Sequence, residues 1–251
     1  MKTGSRRGQI LVVAAFAISI LLLSTNVYIY RNSRIDASPG YSTLTDYAQQ
    51  IRLGSIHAVT ASLVNVSNGG ISSNLGDNMV RWESFTRDDY RFGICDLNAT
   101  LGFQVPYSNG IWLDWGTSGV GVSSAYVDFT LDISGRGAEI DWAFPVNKTT
   151  EIRVLGSYTV ISGNRKNVTV TLYVLNEDSP ALAQSTTLEY MKSGPWKDAS
   201  REGDYAIIDY GNGTYRFTFS AVVPGNQINI RMLVNDIRGV SVEAQETLSE
   251  G

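Results

Sequence analysis

Cysteine, histidine and proline are scarce in this chain of 251 residues, which has one Cys, one His and six Pro. A lone Cys95 permits no intramolecular disulfide and no cysteine metal cluster. In the stretch Phe92 to Asp96 (FGICD) it reads as a small, buried apolar side chain. With His57 as the sole imidazole, no Ser-His-Asp or Cys-His arrangement can be assembled beyond that one residue. No GxxxxGK phosphate cradle, GxSxG elbow or HExxH helix occurs. Neither a metal site nor a cofactor is expected, and no enzymatic activity.

Acid is absent from the amino-terminal end: the first acidic residue is Asp36. Beyond residue 31 the chain carries 16 basic and 24 acidic side chains, a formal net charge of about −8. Such a surface repels phosphate backbones, and no Lys/Arg stripe interleaved with aromatics is present, so nucleic acid is excluded as a partner.

What the amino-terminal end does have is an uncharged run. Residues 10 to 29 are 20 consecutive uncharged, mostly apolar positions, which as a helix at about 1.5 Å per residue span about 30 Å, the hydrocarbon thickness of a bilayer. A disposable secretory signal has a shorter apolar core and ends at a small-x-small site. Here the run ends in Tyr28, Ile29, Tyr30 and Arg31, a flank suited to the headgroup interface. Residues 9–31 are therefore predicted to be a transmembrane helix in contact with membrane lipid. Lys2, Arg6 and Arg7 precede it and acids follow it, which orients the amino terminus to the cytoplasm and the long carboxy-terminal part to the outside, in a single pass.

After the punctuation of Ser38, Pro39 and Gly40, apolar residues recur at three- and four-residue steps through Leu44, Tyr47, Ala48, Ile51, Ile56, Val59 and Leu63. Residues 32–66 are read as a juxtamembrane amphipathic segment, helical from about Thr43 and ended by Asn68-Gly69-Gly70. His57 falls near its apolar face. Residues 67–90 read as a polar linker with a short helix near Asp77 to Ser84, from which Trp82 and Phe85 point inward.

From Arg91 the period changes to two. Ala125, Val127, Phe129, Leu131 and Ile133 alternate with polar residues, as do Val168 to Val174, Tyr215 to Ala221 and Ile228 to Val234. Turn residues punctuate them: SGRG from Ser134, SGN from Ser162, GNG from Gly211, PGN from Pro224 and Arg238-Gly239. The fold class is mostly β, an antiparallel sandwich preceded by two helices. Residues 149–251 read as an immunoglobulin-like sandwich, since DYGNGTYRFTF, from Asp209 to Phe219, resembles a tyrosine corner. Residues 91–148 either extend that sheet or form a companion one.

Two groups of residues suggest binding or modification. Trp112 and Trp115 flank Asp114 between glycines, where exposed rings would stack on sugars; equally, both rings would plug the bottom of the sandwich core. Asn65, Asn98, Asn147, Asn167 and Asn212 each head an Asn-x-Ser/Thr triplet, the acceptor pattern of N-glycosylation. The acids Asp128, Asp132, Glu139 and Asp141 read as solvated outward residues of strands.

Ser5-Arg6-Arg7-Gly8-Gln9, followed at once by the uncharged run, resembles the class III signal peptide of archaeal type IV pilin-like surface proteins. The resemblance implies that residues 1–8 are a basic leader, cut between Gly8 and Gln9 on the cytoplasmic side by a prepilin peptidase, and that the helix is retained to pack with other pilin-like subunits. Cutting there would also remove Lys2, Arg6 and Arg7, charges that resist entry into an apolar bundle. Ala14, Ala15, Ala17 and Ser19 are small enough for close helix approach. Val13 stands where major pilins commonly carry a glutamate, which points to a minor pilin-like or pseudopilin component in assembly or adhesion. A single-pass anchored binding module that never enters a filament is the alternative.

Overall fold

The computed structural model describes residues 41–135, 138–192 and 194–251. The expected leader, its Gly8/Gln9 junction and the apolar run lie outside the described residues. Two helices, α1 (Tyr41–Ser67) and α2 (Asn74–Asp89), precede the strands. These are β1 (Ile94–Leu101), β2 (Ile111–Trp115), β3 (Val120–Gly135), β4 (Ala138–Ser162), β5 (Arg165–Asn176), β6 (Ser179–Pro180), β7 (Ala183–Met191), β8 (Trp196–Asp198), β9 (Gly203–Asp209), β10 (Thr214–Val222), β11 (Ile228–Asp236) and β12 (Ser241–Leu248). They form antiparallel sheets in a sandwich-like arrangement. The larger has the order β1-β3-β4-β5-β10-β9, with β2 beside β3 and β6 beside β5; the smaller runs β12-β11-β7-β8.

β4 is 25 residues long and pairs with β3 from Ala138 to Arg153 without a register shift, then with β5 from Thr150 onward. Its even-numbered side chains therefore share one face from Ile140 to Tyr158, ahead of a register shift between Val160 and Ser162. Phe144 and Val146 on that face are buried with Phe129, Leu131 and Ile133 of β3 under the two helices. Ile152, Val154 and Tyr158, further along the same face, are buried with Val170, Phe217, Ile230 and Val242 under the smaller sheet. Residues 91–148 thus extend the sandwich sheet and are not a companion to it. The four alternating runs seen in the sequence all turn their apolar members into these two cores. Pro145 fits in β4 because β5 has not yet joined there, leaving one side without a strand.

α1 buries Leu44, Ala48, Ile51, Val59, Leu63 and Val66 along one stripe. Ser55 and Ser62 lie in that stripe with their hydroxyls satisfied by the carbonyls of Ile51 and Ala58. They also tie the helices together, Ser55 accepting from Trp82 Nε1 and Ser62 from Asn78 Nδ2, each at 2.9 Å. Gly54 makes room for that approach, since a Cβ there would fall 2.3 Å from the Trp82 ring. The helix stops as its sequence predicts: Gly69 takes φ +95°, and Gly70 N–H donates to Asn65 O in a six-residue closure.

Four expectations are corrected. Residues 67–90 contain a full helix of 16 residues and not a linker with one short turn. Phe85 does not point inward; it is 58% exposed and stacks on Trp82 at 5.5 Å. His57 is exposed on α1 and lies off the buried stripe. Tyr215 does open β10, but its hydroxyl accepts from Ala183 N–H of β7, a tie between the two sheets in place of a bond to its own corner.

The two cores meet at Asp236, at the end of β11. Its buried carboxylate accepts from Arg238 N–H and Val240 N–H on one oxygen, and from Arg238 Nε and Thr150 Oγ1 on the other. Arg238 continues to Glu177 and to Thr149 O. The turn so held sends Val240 into the helix-side core and lets Gly239 O accept from Asn68 at the end of α1. Removing one member of a buried pair strands the other, so Asp236→Ala is expected to lower the unfolding free energy by about 3–5 kcal/mol. Arg153→Ala, which breaks an exposed and solvent-screened pair with Glu151, should shift the unfolding midpoint far less. Thermal unfolding followed by circular dichroism reads both, and equal shifts would contradict the role given to the junction.

Candidate functional site

The large sheet buries one face and turns the other outward. On the outward face, odd residues of β4 stand beside even residues of β3 and β1: Asn147 opposes Tyr126, Pro145 opposes Asp128, and Thr130 opposes Asn98. The loop from Gly102 to Gly110, closed by Gly102 N–H to Tyr126 O and Gly110 N–H to Gly102 O, folds over part of this face. Between loop and sheet lies a cleft of about 290 Å³, lined by Leu101, Phe103, Gln104, Tyr107, Tyr126, Asp128 and Asn147, among others.

The cleft is a mixed surface. Tyr107 and Tyr126 have ring centroids 5.7 Å apart, and Trp112 meets Tyr107 edge-on at 6.1 Å. Tyr126 donates its hydroxyl to Asp128 Oδ1 at 2.8 Å, and this hydrogen bond raises the phenol pKa above its ordinary value. Asn147 Oδ1 accepts from Tyr107, Ser124 and Thr149 hydroxyls, which fixes the amide and leaves Nδ2 free of these contacts. Phe103 and Val105, at 77% and 97% exposure, stand at the loop tip. Rings beside a carboxylate and an amide form a surface able to hold a hydroxylated ring by stacking and hydrogen bonds.

The two tryptophans singled out in the sequence do not share a site. They lie on β2, opposite Ser124 and Gly121 of β3, and so project to opposite faces. Trp112 joins the aromatic side of the cleft, whereas Trp115 Nε1 donates to Ser123 Oγ on the inward side, where Ser123 in turn donates to Ser241 O. Neither belongs to the two hydrophobic cores. Sequence reasoning missed Gln104, Tyr107 and Tyr126, because they meet only when the loop folds back. The wet-face pair Tyr126/Asp128 was the available signal.

Asn65, Asn98, Asn147, Asn167 and Asn212 are all exposed. Asp114, Asp128, Asp132, Glu139 and Asp141 are exposed as well, and no group of three metal-ligating side chains occurs among the described residues. No helix among the described residues is long and apolar enough to cross a membrane. Compared with protein-family models, curated proteins and solved structures, the chain matches none.

Cys95 is buried at 2% exposure between α1 and the sheet, and burial, with Asp96 and Asp132 adding to it, pushes its thiol pKa up to about 11. The fold favours the neutral thiol, so this contribution to stability is complete below the unfolded thiol pKa of about 8.5 and is lost as pH rises through the folded value. At pH 8, alkylation by iodoacetamide is expected to be slower in the folded chain than in denaturant by on the order of a hundredfold, the ratio of thiolate fractions. Equal rates would show an accessible, reactive thiol.

Proposed function

We propose that this chain is a membrane-anchored, outward-facing surface protein of the archaeal pilin-like or pseudopilin kind, acting in assembly or adhesion and not in catalysis. The observation that carries the reading is Ser5-Arg6-Arg7-Gly8-Gln9 set directly against 20 uncharged residues. A prepilin peptidase would remove the basic leader between Gly8 and Gln9, and the retained helix, seated in membrane lipid, would pack with other pilin-like subunits. The amino terminus is cytoplasmic in this reading and the sheets are extracellular, with 149–251 an immunoglobulin-like sandwich.

The described fold supports an anchoring role in one physical respect. α1 begins 11 residues after Tyr30 and buries residues from Leu44 to Val66 against the large sheet, so a load applied at its start passes into packed structure. The absence of any disulfide is offset by two contiguous apolar cores.

A second reading, a single-pass anchored binding module outside any filament, is favoured by the cleft of Tyr107, Tyr126, Asp128 and Asn147, which suits a glycan. The site moves there from the Trp112/Trp115 pair, whose rings face opposite ways.

Mass spectrometry of the amino terminus of the native protein separates the two. A chain starting at Gln9 is the expected result for pilin-type processing, and Gly8→Val should leave the leader attached. A native protein that starts at Met1 or Lys2 sinks the pilin-like reading and leaves the anchored module.

A further inference from the structure

Four of the five Asn-x-Ser/Thr triplets lie on one face of the molecule, and the fifth differs from them. In a strand, residues i and i+2 point the same way, so an Asn-x-Thr triplet sets its amide and hydroxyl side by side. Asn98 and Thr100 do so on β1, Asn147 and Thr149 on β4, and Asn167 and Thr169 on β5. Register places all three pairs outward: Asn98 opposes Thr130, Asn147 opposes Tyr126 and Asn167 opposes Thr159, whereas Phe129 and Phe144 oppose one another inward. Asn212 sits in the β9–β10 turn, with Thr214 beside Tyr173 on the same outward face. Apart from the loop from Gly102 to Gly110, no described element covers this face; both helices and the smaller sheet pack on the other.

Asn65 stands on α1 in a different setting. Its Oδ1 accepts from Asn74 Nδ2 at 2.5 Å, and a Cβ on Gly70 would fall 2.1 Å from that oxygen. The hydroxyl of its triplet, on Ser67, is 2% exposed, donates to Val64 O and accepts from Ser241 N–H.

We infer that the outward face of the large sheet is the carbohydrate-bearing face of this protein, N-glycosylated at Asn98, Asn147, Asn167 and Asn212, and that Asn65 is not a site. This rests on the extracellular placement proposed above. The donor is an oligosaccharide activated on a lipid phosphate. The Asn Nδ2 forms a bond to the sugar C1 as the C1–O bond to phosphate breaks; the amide loses one proton and the lipid phosphate departs, with no change of oxidation state. Strand pairing uses backbone groups, so sugar on these outward side chains leaves the sheet intact. At Asn65 the amide is held through Oδ1 by Asn74, and the Ser67 hydroxyl of its triplet is already taken up by Val64 O and Ser241 N–H, so it is not presented beside the amide as on the strands. A glycan on Asn147 would enter the cleft, so glycan binding there by the alternative reading requires an unmodified Asn147.

The test is glycopeptide mapping of the full chain produced in an N-glycosylating archaeal host, together with digestion of intact cells by added protease. Sugar on all four outward acceptors and none on Asn65 is expected, with each of Asn98→Gln, Asn147→Gln, Asn167→Gln and Asn212→Gln losing the mass of one glycan. If the protease reaches the domain but Asn65 carries sugar, or an outward acceptor is bare, the inference falls and the surface placement stands. A domain shielded from protease and free of sugar overturns both.

Discussion

β4 keeps a single phase from Ile140 to Tyr158, and that constraint places every other layer. A one-residue slip anywhere along it would turn Phe144 and Val146, or Ile152, Val154 and Tyr158, into solvent. The helices and the smaller sheet cover successive lengths of the same face, so each depends on a register shared with the other. Where they meet, the strand presents Thr150, and the polar gap is closed by Asp236 and Arg238. A buried carboxylate with four donors is costly to desolvate, but it accepts only one placement of the β11–β12 turn. That turn delivers Val240 to the helix core and a carbonyl to Asn68, which joins the two halves.

The same constraint decides where function can reside. With one face of the large sheet consumed by packing, the opposite face is the broad surface available for chemistry. It carries the cleft under the loop from Gly102 to Gly110 and four of the five Asn-x-Ser/Thr triplets. Covering it with glycans would confine close contacts between copies to the helices and the smaller sheet. A surface protein that is anchored through residues just ahead of α1 would then present its packing layers and its solvated layer on opposite sides.

Much of this fold was legible in the sequence, because period two survives wherever one strand face is wet. Val168 to Val174, Tyr215 to Ala221 and Ile228 to Val234 all bury the members that alternation selects. The first half of β4 was less legible: the expected boundary between residues 148 and 149 falls inside the strand, and Pro145 is tolerated there because β5 pairs only from Thr150 onward. α2 was underestimated because Leu75 and Met79 are its only fully buried apolar residues, and polar ties from Asn78 and Trp82 hold it to α1. The cleft escaped because Tyr107 and Tyr126 are 19 positions apart and Tyr107 lies on a loop with no period at all. The tryptophan pair misled for the opposite reason: adjacency in sequence suggested one site, and strand geometry separates residues of opposite parity.

Native-state hydrogen exchange along β4 tests most directly whether one strand unites the two cores. Among its amides that bond to β3 or β5, those near Phe144 and those from Ile152 to Tyr158 should open with free energies equal to within about 1 kcal/mol, because both halves unfold together. If the amides on the helix side open separately, at a free energy several kcal/mol lower, the cores are independent and the account of β4 and its Asp236 junction is contradicted.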